Sequence, residues 1–329
     1  METLVNFALL GLLVVTALAV IRLRDLFAVI MLFGIYSLLS ASLFVVLDAV
    51  DVAFTEASVG AGIATVFMLG TLALTKSREK IPAAHKQVLP LLAVLGTGAV
   101  LIYGTSDIPY YGDPSNPIHH HVAPRYLEGS ATEIGVPNVV SAVLASYRGY
   151  DTLGETTVVF TAAIGVLVLI GGARRPHSEE SPRSDPKQEL MKQYSILRLI
   201  TKLLLPLILL FALYVQFHGD FGPGGGFQAG VIFAAGFVLY ALVYGLDQAR
   251  QIMPPWLLRI GISLGVLIYA GVGVAGILLG GAFLDYGVLD PHDPMHGQHL
   301  GIFLVELGVG ITVSAVMISI FYAFAGRGR

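Results

Sequence analysis

Nine stretches of this sequence are long enough and apolar enough to cross a bilayer as helices. Runs such as "LVNFALLGLLVVTALAVI" and "TTVVFTAAIGVLVLIGG" reach, at about 1.5 Å per helical residue, close to the ~30 Å of a hydrocarbon layer. Charge and Pro/Gly clusters cut the chain into spans near 3–21, 26–47, 52–75, 88–103, 154–172, 195–217, 226–246, 256–280 and 300–325. Only 12% of the residues are charged, about half the ~25% of soluble proteins. The expectation is an all-α integral membrane protein. With no basic residue before it and Arg22 and Arg24 after it, the first run reads as a retained helix and not a signal peptide. The chain has no cysteine, which excludes disulfides, thiolate metal sites and iron–sulfur ligation within it.

Sidedness follows from the basic residues. With the N-terminus outside and the C-terminus cytoplasmic, only Arg125 and Arg148 of the 19 Lys and Arg lie outside, as the positive-inside rule requires. Two hydrophilic segments then stand apart, a long outer loop over 104–153 and a mixed-charge cytoplasmic linker over 173–194. No internal repeat of the inverted-topology kind is visible.

Carboxylates within spans are costly and mark functional positions by default. Glu56, in "DVAFTEASVGAGIATVF", sits about one turn into the third span beside a thin face of Ala53, Ala57, Gly60 and Ala64. Glu306, in "HLGIFLVELGVG", lies two turns after His299 on the same helix face. Each carboxylate either serves an ion path or accepts a hydrogen bond from a neighbouring helix. Asp51 opens the third span and is placed to cap it through the N–H of Ala53 or Phe54. Lys202 and Arg198 stand one turn apart near the cytoplasmic end of "ILRLITKLLLPLILL", where both can snorkel, and Pro206 is expected to bend that helix.

His119, His120 and His121 are consecutive and so cannot easily converge on one ion; a solvated loop is expected, as it is for "DPHDPMHGQH" with His292, His296 and His299. No metal, cofactor or nucleic acid is expected. "HGDFGPGGGFQAG" invites comparison with phosphate-binding loops, but it lacks the Lys and Ser/Thr that follow the last glycine of a P-loop, and no strand precedes it. Pro223, Gly224, Gly225 and Gly226 instead suit a tight reversal that brings backbone against backbone, with His218 and Asp220 at its mouth and Gln228 needing a partner.

The stretch "HGDFGPGGGFQAGVIFAAGFVLYALVYG" resembles the B-type (MnhB/MrpB) subunits of Mrp-type multisubunit sodium/proton antiporters and related subunits of membrane-bound hydrogenases, across roughly 190–329. "DAVDVAFTEASVGAGIATVFML" and "GVPNVVSAVLASYRGYDTLGETTVVFTAAIGVLVLI" resemble the C-terminal region of the large A-type Mrp subunits and the matching small hydrogenase subunits. The resemblance implies a fusion. A three-helix region would occupy 1–80, a two-helix region with the long outer loop 81–175, a linker 176–194, and a four-helix MnhB-like domain 195–329. It further implies a place in the cell membrane, lipid contact, Na⁺ and H⁺ as the ions, and subunits of the A-core, C, D, E, F and G types as partners. The antiporter-like core of the A-type protein would then come from another chain. Glu56 and Glu306, with Glu155 at the head of the fifth span, would be this chain's contribution to an ion path.

Overall fold

The computed structural model describes residues 2–80, 88–110, 112–171 and 195–327. Every regular element among them is helical, apart from one isolated antiparallel bridge between Asp25 and Arg78. Nine of these helices are long and apolar enough to cross a membrane, as the hydropathy pattern predicts.

Helices α1 (Glu2–Arg22) and α2 (Leu26–Val46) pack side by side. The turn between them is set by Asp25, whose carboxylate accepts the Ala28 N–H at 3.1 Å. Span α3 (Val50–Leu74) is not the uninterrupted helix expected over 52–75: residues Ala57–Ala64 are π-helical between two α-helical halves. Helix α4 (Val88–Thr105) has no buried residue.

The segment 104–153 is more ordered than a polar loop. It contains a 3₁₀ turn at Pro117–His120, helix α5 (Val122–Glu133), and a helical turn Val139–Ser141 running into a second π segment, Ala142–Tyr147. Helix α6 (Gly149–Gly171) therefore starts five residues before the expected 154. The 173–194 linker lies outside the described residues.

The C-terminal helices are α7 (Ser195–His218), α8 (Gly226–Tyr244), the short α9 (Leu246–Ile252), α10 (Pro255–Leu278) and α11 (Pro294–Ala325). The last begins six residues before the expected 300. Asp293 caps it, accepting from Met295 and His296 N–H at 3.1 and 3.2 Å, and Pro294 at the first helical position costs no hydrogen bond. "DPHDPMHGQH" is thus partly the first two turns of a helix. Gly280, which pairs with Gly276 at small-xxx-small spacing in the sequence, lies beyond the end of α10 in a turn at φ +92°.

Helices α8 and α11 form the centre and are the most buried of the spans. Glycines allow them to approach closely: a Cβ on Gly230 would stand 2.8 Å from the Gly310 carbonyl oxygen, and one on Gly308 2.6 Å from that of Gly265 in α10. Hydrogen bonds tie the ends together. Leu26 N–H donates to Ser77 O at 3.0 Å, Tyr244 OH to Arg198 O at 2.8 Å and Arg327 to Leu169 O at 3.5 Å, which gathers one set of helix ends. The starts of α3, α6, α8 and α11 gather at the other.

Candidate ion-path cavity

The glycine stretch is a reversal whose amides already serve the protein. Gly225 N–H donates to Val215 O at 3.1 Å and Gly222 N–H to His218 O at 3.0 Å. Gly225 sits at φ +122°, a conformation that side chains with a Cβ rarely adopt. Gly226 has an ordinary backbone conformation but lies against the backbone of α11, where a Cβ would collide with the Glu306 carbonyl oxygen. The turn packs against protein backbone.

A residue that sequence reasoning passed over holds this turn. The Asn138 side-chain amide donates to Gly219 O at 3.0 Å and Gly222 O at 2.9 Å, its backbone N–H donates to Asp220 O at 3.0 Å, and its Oδ1 caps the next helical turn through Val140 N–H at 2.9 Å. Ser141 adds a bond to Gly219 O at 2.6 Å. Tyr286 and Tyr269 fasten the same segment from below, donating to Ala145 O at 2.9 Å and Gly149 O at 2.7 Å. The available signal was Asn after Pro137 and before an apolar run, an N-cap pattern. Asn138→Ala leaves the Gly222 carbonyl without this donor, while Gly219 O keeps Ser141, so a loss of roughly 1–3 kcal/mol is expected, read as a lowered unfolding midpoint of the detergent-solubilised chain.

Beneath the turn is a cavity of about 290 Å³. Asp51 and Thr55 of α3, Ser141, Glu155 and Thr156 of α6, Gly224–Gly226, Gln228, Tyr269 and Glu306 line it. Three of the singled-out carboxylates, Asp51, Glu155 and Glu306, thereby meet from three different helices. Glu306 packs against the turn: a Cβ on Gly219 would stand 2.9 Å from its Oε2, and one on Gly225 3.3 Å from its Oε1. Gln228 finds its partner in Thr55, donating to Oγ1 at 2.8 Å. The second π segment borders this cavity through Leu144 and Ala145.

Asp51 does not cap its own helix. The helix begins at Val50 with Ala49 as the capping residue, which places Asp51 inside the first turn and turns its carboxylate across to Gly224 N–H and the Asn138 amide, both at 3.4 Å. His299 lies 3.5 Å from Asp220 through Nδ1 and 3.2 Å from Gly135 O through Nε2. Both ring nitrogens thus face acceptors, and a neutral imidazole has one N–H. Burial pushes the Asp220 carboxyl above its ordinary range, and His299 beside it pulls the other way.

Other candidates lie elsewhere. Glu56 faces α2, its Oε1 beside Ser37 Oγ over Gly60, so the thin face of α3 is used by α2. His218 stacks on Tyr214 with ring centroids 4.9 Å apart. Lys202 is exposed on α7, roughly 24 Å of helix rise from the glycine turn, and Arg198 lies over the Tyr244 ring at 5.0 Å. Among the described residues no group of three or more His, Asp or Glu is arranged to hold a metal.

Comparison with known proteins assigns this architecture. Residues 196–319 match the family described as a domain related to the MnhB subunit of Na⁺/H⁺ antiporter. Residues 11–77 match the MbhD family and residues 95–189 the MbhE family, both described as MBH subunits. A putative antiporter subunit mnhB2 of Staphylococcus haemolyticus is 33% identical over 133 residues, which cover 94% of that protein and 40% of this chain. The chain belongs to the MnhB family of antiporter subunits. A probable K⁺/H⁺ antiporter A/B subunit of Rhizobium meliloti is 27% identical over 323 residues, covering 87% of this chain and 31% of the relative. Among solved structures, the Mrp complex from Dietzia superposes on 97% of this MnhB-family chain with a TM-score of 0.74 and 27% identity, over 34% of the matched chain. The membrane-bound sulfane sulfur reductase, an archaeal respiratory membrane complex, covers 73% of it with a TM-score of 0.55 and 28% identity, over 98% of the matched chain. The chain thus spans about a third of the length of the Rhizobium relative.

Proposed function

We propose that this chain is an integral subunit of a multisubunit cation/proton antiporter in the cell membrane, and that its carboxylate cavity is a segment of the ion path. One observation carries this: the cavity lies where the three family-matched regions meet. Asp51 comes from the MbhD-like region, Glu155 from the MbhE-like region, and Gln228 and Glu306 from the MnhB-related region. A scaffold needs only apolar and glycine contacts at such a junction; carboxylates, an amide and hydroxyls suit oxygen coordination of Na⁺ and hand-over of H⁺.

The partners are the remaining subunits of an Mrp-type complex, including the antiporter-like core of an A-type protein. Cytoplasmic Na⁺ is exchanged for outside H⁺ in this reading; the K⁺/H⁺ name of the Rhizobium relative makes K⁺ the cation to run alongside in flux assays. A second reading, in which the same module serves a redox-driven complex, is favoured by the two MBH matches and by the sulfane sulfur reductase likeness. The subunits that co-purify with the chain separate the two: redox subunits with iron–sulfur ligands support the second, antiporter subunits alone the first.

For orientation, we place the N-terminus and the 104–153 segment outside and residues 76–80 inside. Ser115 and Ser77 are both exposed, and the chain has no native cysteine. Single cysteines at these positions will react with an impermeant thiol reagent from opposite sides of sealed vesicles. Labelling of both from one side refutes the arrangement.

A further inference from the structure

Gln228 is 8% exposed and stands in the first turn of α8, where it lines the carboxylate cavity. The two ends of its amide are chemically different, and Thr55 decides which of them is free. The Thr55 hydroxyl donates to Asp51 O, one turn back on α3, at 3.0 Å. With its proton committed there, Thr55 Oγ1 can only accept, and what it accepts at 2.8 Å is the Gln228 amide N–H. The nitrogen end is thereby held against α3, and the carbonyl oxygen is left over.

That oxygen meets no hydrogen-bond donor among the described residues. It is not sealed either: the unpaired side-chain atoms shut off from open space are Asn6 Oδ1, Gln216 Nε2, Arg250 Nε and Tyr322 OH. Gln228 Oε1 therefore opens onto the cavity that its residue lines. Glu306 stands beside it over the same glycine, for a Cβ on Gly225 would lie 3.5 Å from Gln228 Oε1 and 3.3 Å from Glu306 Oε1. The Glu306 carboxylate also receives no donor from a described residue, whereas Asp51 already has Gly224 N–H and the Asn138 amide at 3.4 Å. Two acceptor oxygens, one of an amide and one of an acid, thus face one space with no donor between them. Leaving them so is costly. A hydrogen-bond donor offers its proton to one of them at a time, while a hard cation, which takes oxygen ligands, attracts both together.

Resting on the ion-path reading above, we propose that Gln228 Oε1 and the Glu306 carboxylate hold the transported alkali cation between them, and that Thr55 is the positioning residue that keeps the amide oxygen aimed at it. Gln228 and Glu306 belong to the MnhB-related region and Thr55 to the MbhD-like one, so the aim of the ligand depends on the contact between the two. Without the Thr55 hydroxyl the amide is free to turn its N–H groups toward Glu306. A donor then stands where the cation would be bound, and the carboxylate is left as the one acidic oxygen ligand at that point.

The test measures cation-dependent proton flux by the whole complex in everted vesicles, against the concentration of whichever of Na⁺ and K⁺ drives it. In Thr55→Val, which keeps the side chain's size, the apparent KM for that cation is expected to rise about tenfold while flux at saturating cation falls by less than about twofold. Thr55→Ser, which keeps the hydroxyl, should bring KM back. Gln228→Met, of similar length and without the oxygen, should raise KM at least as far, which keeps the test decisive if Thr55→Val assembles poorly. The proposal is overturned if either variant, once assembled, keeps the wild-type KM, or loses maximal flux alone as a packing role would give. Glu306→Gln separates this outcome from the reading beneath it. If Glu306→Gln loses flux while Thr55→Val and Gln228→Met keep the wild-type KM, the path stands and the cation is held elsewhere; wild-type flux in Glu306→Gln overturns both.

Discussion

Gly226→Leu will abolish accumulation of the chain in membranes, while Gly271→Leu will leave it near the wild-type level. The contrast lies in what a side chain meets. A Cβ on Gly271 has nothing within 4 Å, whereas one on Gly226 collides with the Glu306 carbonyl oxygen and comes within 2.9 Å of Gly310 N. Those neighbours are backbone atoms of the most buried helix, and they cannot rotate away as a side chain can. Ordinary overpacking costs about 1–3 kcal/mol; forcing α8 away from α11 also opens the Gly230–Gly310 contact, so the loss should exceed that range. Gly225→Leu will act in the same direction through its φ of +122°. Immunoblots of membrane fractions give the readout. Equal amounts of the Gly226→Leu and Gly271→Leu proteins would show that the close approach is dispensable.

Span-level structure is legible in this sequence because bilayer crossing imposes length and apolarity, and both are local properties. Where the boundaries differ, a local polar signal reads as loop: Asp293 and Pro294 start α11, as an N-cap followed by proline should, yet the histidines after them look like solvent residues. The π segments carry no pattern that hydropathy resolves, because one extra residue per turn leaves an apolar run apolar. Gln228's need for a partner can be foreseen, but its identity, Thr55, is 173 residues away. Asn138 is hidden for a similar reason, since its bonds go to carbonyls of a turn some 80 residues downstream. Asp51 shows the converse error. A carboxylate at a helix start reads as a local cap, and a shift of two residues in the boundary redirects it to the glycine turn.

Glu306→Gln will reduce cation-dependent proton flux by at least about tenfold while leaving the complex assembled. The substitution keeps the side chain's size and its capacity to accept a hydrogen bond, so the close packing of Gly219 and Gly225 against it can persist; what it removes is the charge and the site for a proton. A carboxylate set among backbone, Tyr269 and Val309 in the cavity wall is tolerated in a membrane only with a proton or a cation as partner, and alternation between those partners is the step an exchanger needs. Glu56→Gln should have a smaller effect, because that carboxylate faces α2 at Ser37 and Gly60 and not the cavity. Everted vesicles carrying the complex, with a fluorescent probe of the pH gradient and cation added at several pH values, measure both variants. Wild-type flux in Glu306→Gln with normal assembly would reduce Glu306 to a packing residue and leave the cavity without its ion-path role. A greater loss in Glu56→Gln would instead move the path to the α2–α3 face.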